Sequence, residues 1–229
     1  MPLLRDVIGL FFPRVCQACG YLLYQNEDVL CTKCLYHLPK TNFHMHRENP
    51  VTETFWGRLP LKSGAAFLYY AKAGRVQNMI HRFKYHGNRD IGSLLGLLFA
   101  KELQKSPYFK TVDVIVPVPL HWTKLKKRGF NQSEIIGRAM AGTMGIKLET
   151  RVLHRKIATD TQTKKSRFKR AENVKDKFAV ENSHLLHGRH VLLLDDIITT
   201  GSTMEACALC LLDIEDVQLS VASIGFAGR

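Results

Sequence analysis

The spacing of apolar and polar positions changes several times along the chain, and each change predicts an element. AAFLYY at 65–70 predicts a strand, RVQNMIHRFKYHG at 75–87 a helix ending at Gly87, and IGSLLGLLFAKELQKS at 91–106 a second, largely buried helix. VDVIVPV at 112–118 is a continuous apolar run, and its lack of alternation predicts a strand covered on both faces, as parallel strands are. A further helix is expected over 131–145. RHVLLL at 189–194 predicts a strand, DDIITTGST a turn, MEACALCLLDI at 204–214 a helix and VQLSVASIGFA at 217–227 the last strand. Strands alternating with helices specify an α/β fold with a mainly parallel, doubly wound sheet.

Several stretches stand outside that rhythm. Residues 14–40 hold two C-x2-C pairs separated by eleven residues and are too short and polar to bury a core, so they need a staple. Residues 41–64, with His44, His46, Pro50, Pro60 and Gly64, show little periodicity and predict an irregular linker. The expected division is a small N-terminal module over 1–50 and a main domain over 51–229. Residues 151–177 are polar, dense in basic residues and free of Gly and Pro, which predicts a long arm or hairpin. Residues 1–13 space apolar side chains as a short helix does, with Arg5 and Asp6 inside the pattern and no small-residue cleavage site after it. A cytoplasmic protein is therefore expected, with no membrane span, since no apolar run nears the roughly 20 residues such a helix needs.

Charge and cysteines narrow the chemistry. Lys and Arg outnumber Asp and Glu by 33 to 20, a net charge of +13, which favours polyanionic partners. The excess concentrates on the arm, where Lys164, Lys165, Arg167, Lys169 and Arg170 surround Phe168. Such a segment is an electrostatic footprint for nucleic acid with an aromatic ring available for stacking, and it is also what a solvated loop looks like. The paired spacing of Cys16, Cys19, Cys31 and Cys34 brings four thiolates around one tetrahedral Zn²⁺ and leaves no open position, so the site is structural. Cys207 and Cys210 lie amid Ala and Leu and are expected to be buried free thiols.

The run LLDDIITTGST at 193–203 carries the clearest chemistry. At a helix N-terminus the first N–H groups lack partners and the dipole is positive, so Thr199, Thr200, Gly201, Ser202 and Thr203 can wrap a phosphate monoester, with Gly201 letting the backbone come close. Asp195 and Asp196 would repel that phosphate if they faced it, and they suit neutral hydroxyls nearby. A phosphate and a vicinal diol on one molecule describe ribose 5-phosphate, and ligands in open α/β sheets sit beyond the carboxyl ends of the strands. A helix cap alone needs only one such residue, and the absence of G-K-[ST] excludes a Walker A loop. Pro117 and Pro119 mark the end of the earlier strand, and Lys124, Lys126, Lys127 and Arg128 follow. Lys84 sits at an expected helix end, where favourable interaction with the dipole explains it as well as a ligand does.

The segment resembles the signature for phosphoribosyl diphosphate (PRPP) in type I phosphoribosyltransferases, an apolar strand, two acids and a T-x-G-x-T loop. More of the chain is similar to the ComF family of competence-associated, phosphoribosyltransferase-like proteins. The pieces are CQACG, CTKC, HRFKYHGNRDIG, VPVPLHWTKLKKRGFNQS, the Q-x3-S-R-F-K-R-x-E-N arm and VLLLDDIITTGST, in that order over nearly the whole length. The resemblance implies a type I phosphoribosyltransferase fold with an N-terminal zinc module. It also implies a PRPP site holding Ile197 and Ile198 beside the loop, with Asp195 and Asp196 catalytic and Mg²⁺ bridging diphosphate and ribose hydroxyls. Arg128, Lys127 and Lys124 are then expected at the diphosphate, Arg128 first for its bidentate fork. The arm becomes a lid over the reacting centre, a clamp for single-stranded DNA, or both. A part in natural transformation follows from the resemblance, whereas turnover does not, and no acceptor or base is legible. A DNA-binding protein using the PRPP site as sensor or scaffold is the alternative, and formation of a homo-oligomer stays open.

Overall fold

The computed structural model describes residues 13–156 and 177–228. The expected N-terminal helix and the arm residues Lys164, Lys165, Arg167, Lys169 and Arg170 lie outside the described residues.

Five strands form one sheet in the order β1-β7-β6-β2-β3: β1 (Ser63–Tyr69), β2 (Val114–Pro117), β3 (Lys147–Leu148), β6 (His190–Ile198) and β7 (Gln218–Phe226). Every pairing in it is parallel, as the unbroken apolar runs require. The central β6 buries five consecutive residues, His190 to Leu194, and passes Leu193 opposite Val116 on one side and Val221 on the other. Two apolar clusters cover the two faces. One gathers Leu192, Leu194, Ile115 and Phe67 with helices α3 (Arg75–Tyr85), α4 (Arg89–Leu103) and α6 (Gln132–Met144). The other gathers Leu193, Val116 and Val221 with α7 (Ser202–Leu212).

The helix ends follow local chemistry. Asn131 caps α6 by accepting from the Ser133 N–H at 3.1 Å, and Gly145 closes it in the left-handed conformation at φ 70°. On the buried face Gly96 lies so close to α6 that an added Cβ would meet the Ile136 carbonyl oxygen at 2.6 Å. Among the described residues no helix is long and apolar enough to cross a membrane.

Three features differ from the sequence expectation. The linker over 41–64 holds a 3₁₀ turn, Phe43–Met45, and the short helix α2 (Pro50–Glu53), with Val51 and Phe55 fully buried. Asn49 organises it, accepting from Val51 and donating to the Phe43, His46 and Gly64 carbonyls, a buried side-chain network that leaves no trace in hydrophobic period. The basic run after β2 is helix α5 (Trp122–Arg128), which buries none of its residues. Strand β6 runs on through Asp195 and Asp196 to Ile198, because Ile197 and Ile198 still pair with Gly225 and Phe226 of β7.

The arm leaves and returns through an antiparallel ladder, β4 (Leu153–Arg155) with β5 (Phe178–Val180). Its base is thus a hairpin stem.

Candidate phosphate site and cysteine cluster

The carboxyl end of β6, the turn 199–201 and the start of α7 enclose a cleft of about 50 Å³ lined by Asp195, Ile197, Ile198, Thr199, Thr200, Gly201, Ser202, Thr203 and Met204. All but Met204 are residues of the run picked out by sequence. Gly201 precedes α7 at φ 76°, and no side chain caps the helix there. Thr200 and Ser202 share a hydrogen bond between their hydroxyls at 2.9 Å, and the Ser202 N–H lies 3.5 Å from the Thr200 hydroxyl. The first turn of an eleven-residue helix thus lines the cleft without a side-chain cap and beside the hydroxyls of Thr199, Thr200, Ser202 and Thr203, an arrangement that can hold an anion.

Gly201 is held from beneath. A Cβ there would stand 2.7 Å from Cε1 of Phe55 and 3.0 Å from Cγ2 of Thr54, so the turn rests directly on the buried ring. An ion pair between Arg58 and Glu205 ties the same segment to the first turn of α7. These supports come from the stretch expected to be an irregular linker.

The two acids have different partners. Oδ1 of Asp195 accepts from the Ser133 hydroxyl at 3.0 Å and from the Asp196 N–H at 2.8 Å. Burial, then the Asp196 charge beside it, pushes the Asp195 carboxyl up to about 7, against the pull of those two hydrogen bonds and of Lys84. Asp196 pairs with Lys84 at 2.6 Å, both side chains largely covered. Lys84, whose position at the end of α3 fitted dipole capping equally well, is thus in direct contact with the acid pair. Ser133 and Gln132 were not singled out from sequence, since the contact to Asp195 spans 62 positions.

Arg128 stands apart from the cleft's lining. It donates to Gln132 Oε1 at 2.9 Å, and its guanidinium lies 5.2 Å from the Tyr85 ring centroid. The Nε2 of Gln132 is buried without a partner among the described residues. Lys124 and Lys127 are exposed on α5. The structure thus connects α3, α5 and α6 around the acids, through Lys84 to Asp196, Ser133 to Asp195 and Tyr85 to Arg128.

At the other end of the chain Cys16, Cys19, Cys31 and Cys34 bring all four Sγ atoms within 4.8 Å of one another. Cys19 and Cys31 stand 3.8 Å apart, and a tetrahedron of thiolates about 2.3 Å from a zinc ion has an edge of about 3.8 Å. The donor set fits zinc. Burial opposes ionisation of Cys16, yet N–H groups of Cys31, Cys19 and Ala18 bring its thiol down to about 6, while burial and neighbouring sulfurs push Cys34 up. A cluster in which one thiolate hinders the next is one that a dication relieves. Glu27 fixes the loop between the pairs, accepting from the Thr32 hydroxyl at 2.7 Å and the Tyr24 N–H at 3.0 Å. Cys31 itself caps helix α1 (Thr32–Tyr36) through the Cys34 N–H.

Comparison with known proteins agrees with this layout. Residues 129–227 match the phosphoribosyl transferase domain. DNA utilization protein YhgH of Escherichia coli strain K12 is 28% identical over 213 residues, covering 92% of this chain and 89% of that protein. Competence protein ComFC of Bacillus subtilis is 27% identical over 203 residues, 87% of this chain and 78% of that one. Competence protein F of Haemophilus influenzae is 30% identical over 149 residues, 62% of this chain and 64% of that one. Among solved structures, glutamine PRPP amidotransferase from B. subtilis is similar at a TM-score of 0.43 and 20% identity, over 62% of this chain and 30% of that larger one. The parallel sheet, the matched domain, relatives aligned over most of their length and the four gathered cysteines support a ComF-family, phosphoribosyltransferase-like protein.

Proposed function

We propose that the protein binds PRPP in the cleft at the end of β6 and that this binding serves the handling of DNA. The observation that carries the reading is the uncapped N-terminus of α7, set beside two acids on one strand end. In this reading Thr199, Thr200, Gly201, Ser202 and Thr203 hold the 5-phosphate, and Ile197 and Ile198 line the ribose. Asp195 and Asp196 accept from its hydroxyls and offset positive charge developing at the anomeric carbon. Arg128, Lys127 and Lys124 meet the diphosphate. Magnesium, when bound, draws charge from the diphosphate leaving group. Zinc in the cysteine cluster is structural and takes no part in the chemistry at the anomeric carbon, and the cytoplasm is the expected compartment.

The test uses one end of the ligand. Ribose 5-phosphate should raise the Tm of the wild type and leave Thr203→Val with little protection, since the lost hydroxyl lies in the proposed cradle. Equal protection of both proteins would remove the cradle from the account.

A second reading has its own support: relatives named for DNA utilization and competence, and a charge of +13 with a basic arm carried on the β4–β5 stem. Here the protein grips single-stranded DNA through Lys164, Lys165, Arg167, Lys169 and Arg170, and PRPP acts as a signal. Affinity for an oligonucleotide should then fall with salt, at a log–log slope of roughly −0.7 per phosphate contacted. A flat salt dependence would remove the arm as a phosphate clamp.

A further inference from the structure

One helix touches both the cysteine cluster and the acids. The buried side of α3, Val76, Met79, Ile80 and Phe83, lies in the same apolar cluster as Cys16, Ala18, Leu30 and Cys34. Gln17, between the first two cysteines, accepts from Arg82 of α3 at 3.3 Å. One residue beyond Phe83, Lys84 pairs with Asp196, and Tyr85 lies beneath Arg128. The packing between module and helix is incomplete: a cavity of about 240 Å³ separates Ala18, Cys34 and His37 from Val76 and Met79. Residues 14–40 have no core of their own, so their grip on α3 depends on the bound metal.

We infer that α3 is a positioning element through which metal occupancy of the cysteine cluster sets the affinity of the acid site, with Lys84 as the residue that transmits it. The inference rests on the PRPP reading of that site. With the module folded, α3 is held from the Arg82 side and Lys84 stays on Asp196, reducing the negative charge that an incoming polyphosphate must meet. Without metal the module releases one side of α3, and Lys84 no longer holds that position. Coupling between two binding sites is reciprocal, so PRPP must tighten the metal by the factor by which the metal tightens PRPP.

The experiment is calorimetry of PRPP with Mg²⁺ on the full chain, zinc-loaded and zinc-stripped, for wild type, Gln17→Ala and Lys84→Met. Stripping should weaken PRPP binding by the wild type at least about five-fold, the lower end of typical coupling. Gln17→Ala should keep its zinc and show part of that loss. Lys84→Met should bind more weakly than wild type and be indifferent to stripping, and saturating PRPP should slow zinc loss to a chelator in the wild type and not in Lys84→Met. Equal affinity of loaded and stripped wild type overturns the link, as does a Lys84→Met that still responds to stripping. Should the stripped chain lose its fold, zinc-loaded Gln17→Ala decides, and unchanged affinity there overturns the link. Absence of PRPP binding by the loaded wild type overturns the phosphate reading and the link with it.

Discussion

Asp195→Asn should make the ligand-free protein more stable while weakening it as a PRPP binder. Burial and the neighbouring Asp196 raise the Asp195 carboxyl from 3.8 to about 7. For an acid whose folded pKa lies above its unfolded one, the folded state binds more protons in between, so stability falls as pH rises from about 4 to 7 and the penalty is complete above that. At 1.36 kcal/mol per unit the ceiling is about 4 kcal/mol. Asp195 keeps a partly exposed edge, and screening there reduces the gain on removing the charge to about 1–2 kcal/mol. The amide oxygen of Asn still accepts from Ser133, so packing is preserved. Urea unfolding of both proteins at pH 8 and at pH 5 measures it: the variant's advantage should be present at pH 8 and small at pH 5. An advantage equal at the two pH values, or a variant less stable at pH 8, would refute the reasoning.

Three other outcomes follow from single positions. Gly201→Ala should cost about 2–4 kcal/mol, from the left-handed backbone plus overpacking on Phe55, whereas Gly129→Ala, at nearly the same φ with nothing within 4 Å, should cost about 1; equal losses in urea unfolding would deny Phe55 its supporting role. Burial lowers the His190 pKa below its ordinary 6.5, and its ring bonds Thr111 and Ser220, so it contributes stability above that pH and loses it as pH falls. The margin of wild type over His190→Gln should shrink between pH 7.5 and 5.5, and a constant margin would contradict the assignment. Cys16→Ser should carry much less zinc than wild type by metal analysis and lose protection from proteolysis over residues 14–40; full zinc content would dismiss Cys16 as a ligand.

The parts of the molecule legible in the sequence are those fixed by neighbours along the chain. The buried strands at 114–117 and 190–194 announce themselves as apolar runs, the four cysteines by their spacing, and the phosphate turn by small hydroxyl residues after two acids. What the sequence left hidden depends on distant pairs. Lys84 reaches Asp196 across the sheet end, Ser133 reaches Asp195, and Phe55 lies under Gly201, contacts that no local period encodes. The stretch 41–64 was opaque for a related reason: its order comes from buried Asn49 and from Phe43, Val51, Phe55 and Leu59, apolar anchors spread among polar residues and carried by only short helical turns. Helix α5 escaped because its residues, all unburied, carry no inward face.

Direct titration of PRPP into the zinc-loaded protein, with and without Mg²⁺ and repeated on Asp195→Ala and Asp196→Ala, tests the central claim most closely. Saturable binding by the wild type, strengthened by Mg²⁺ and largely lost in both variants, is the expected result. No measurable binding by the wild type, or undiminished binding by both variants, would contradict it.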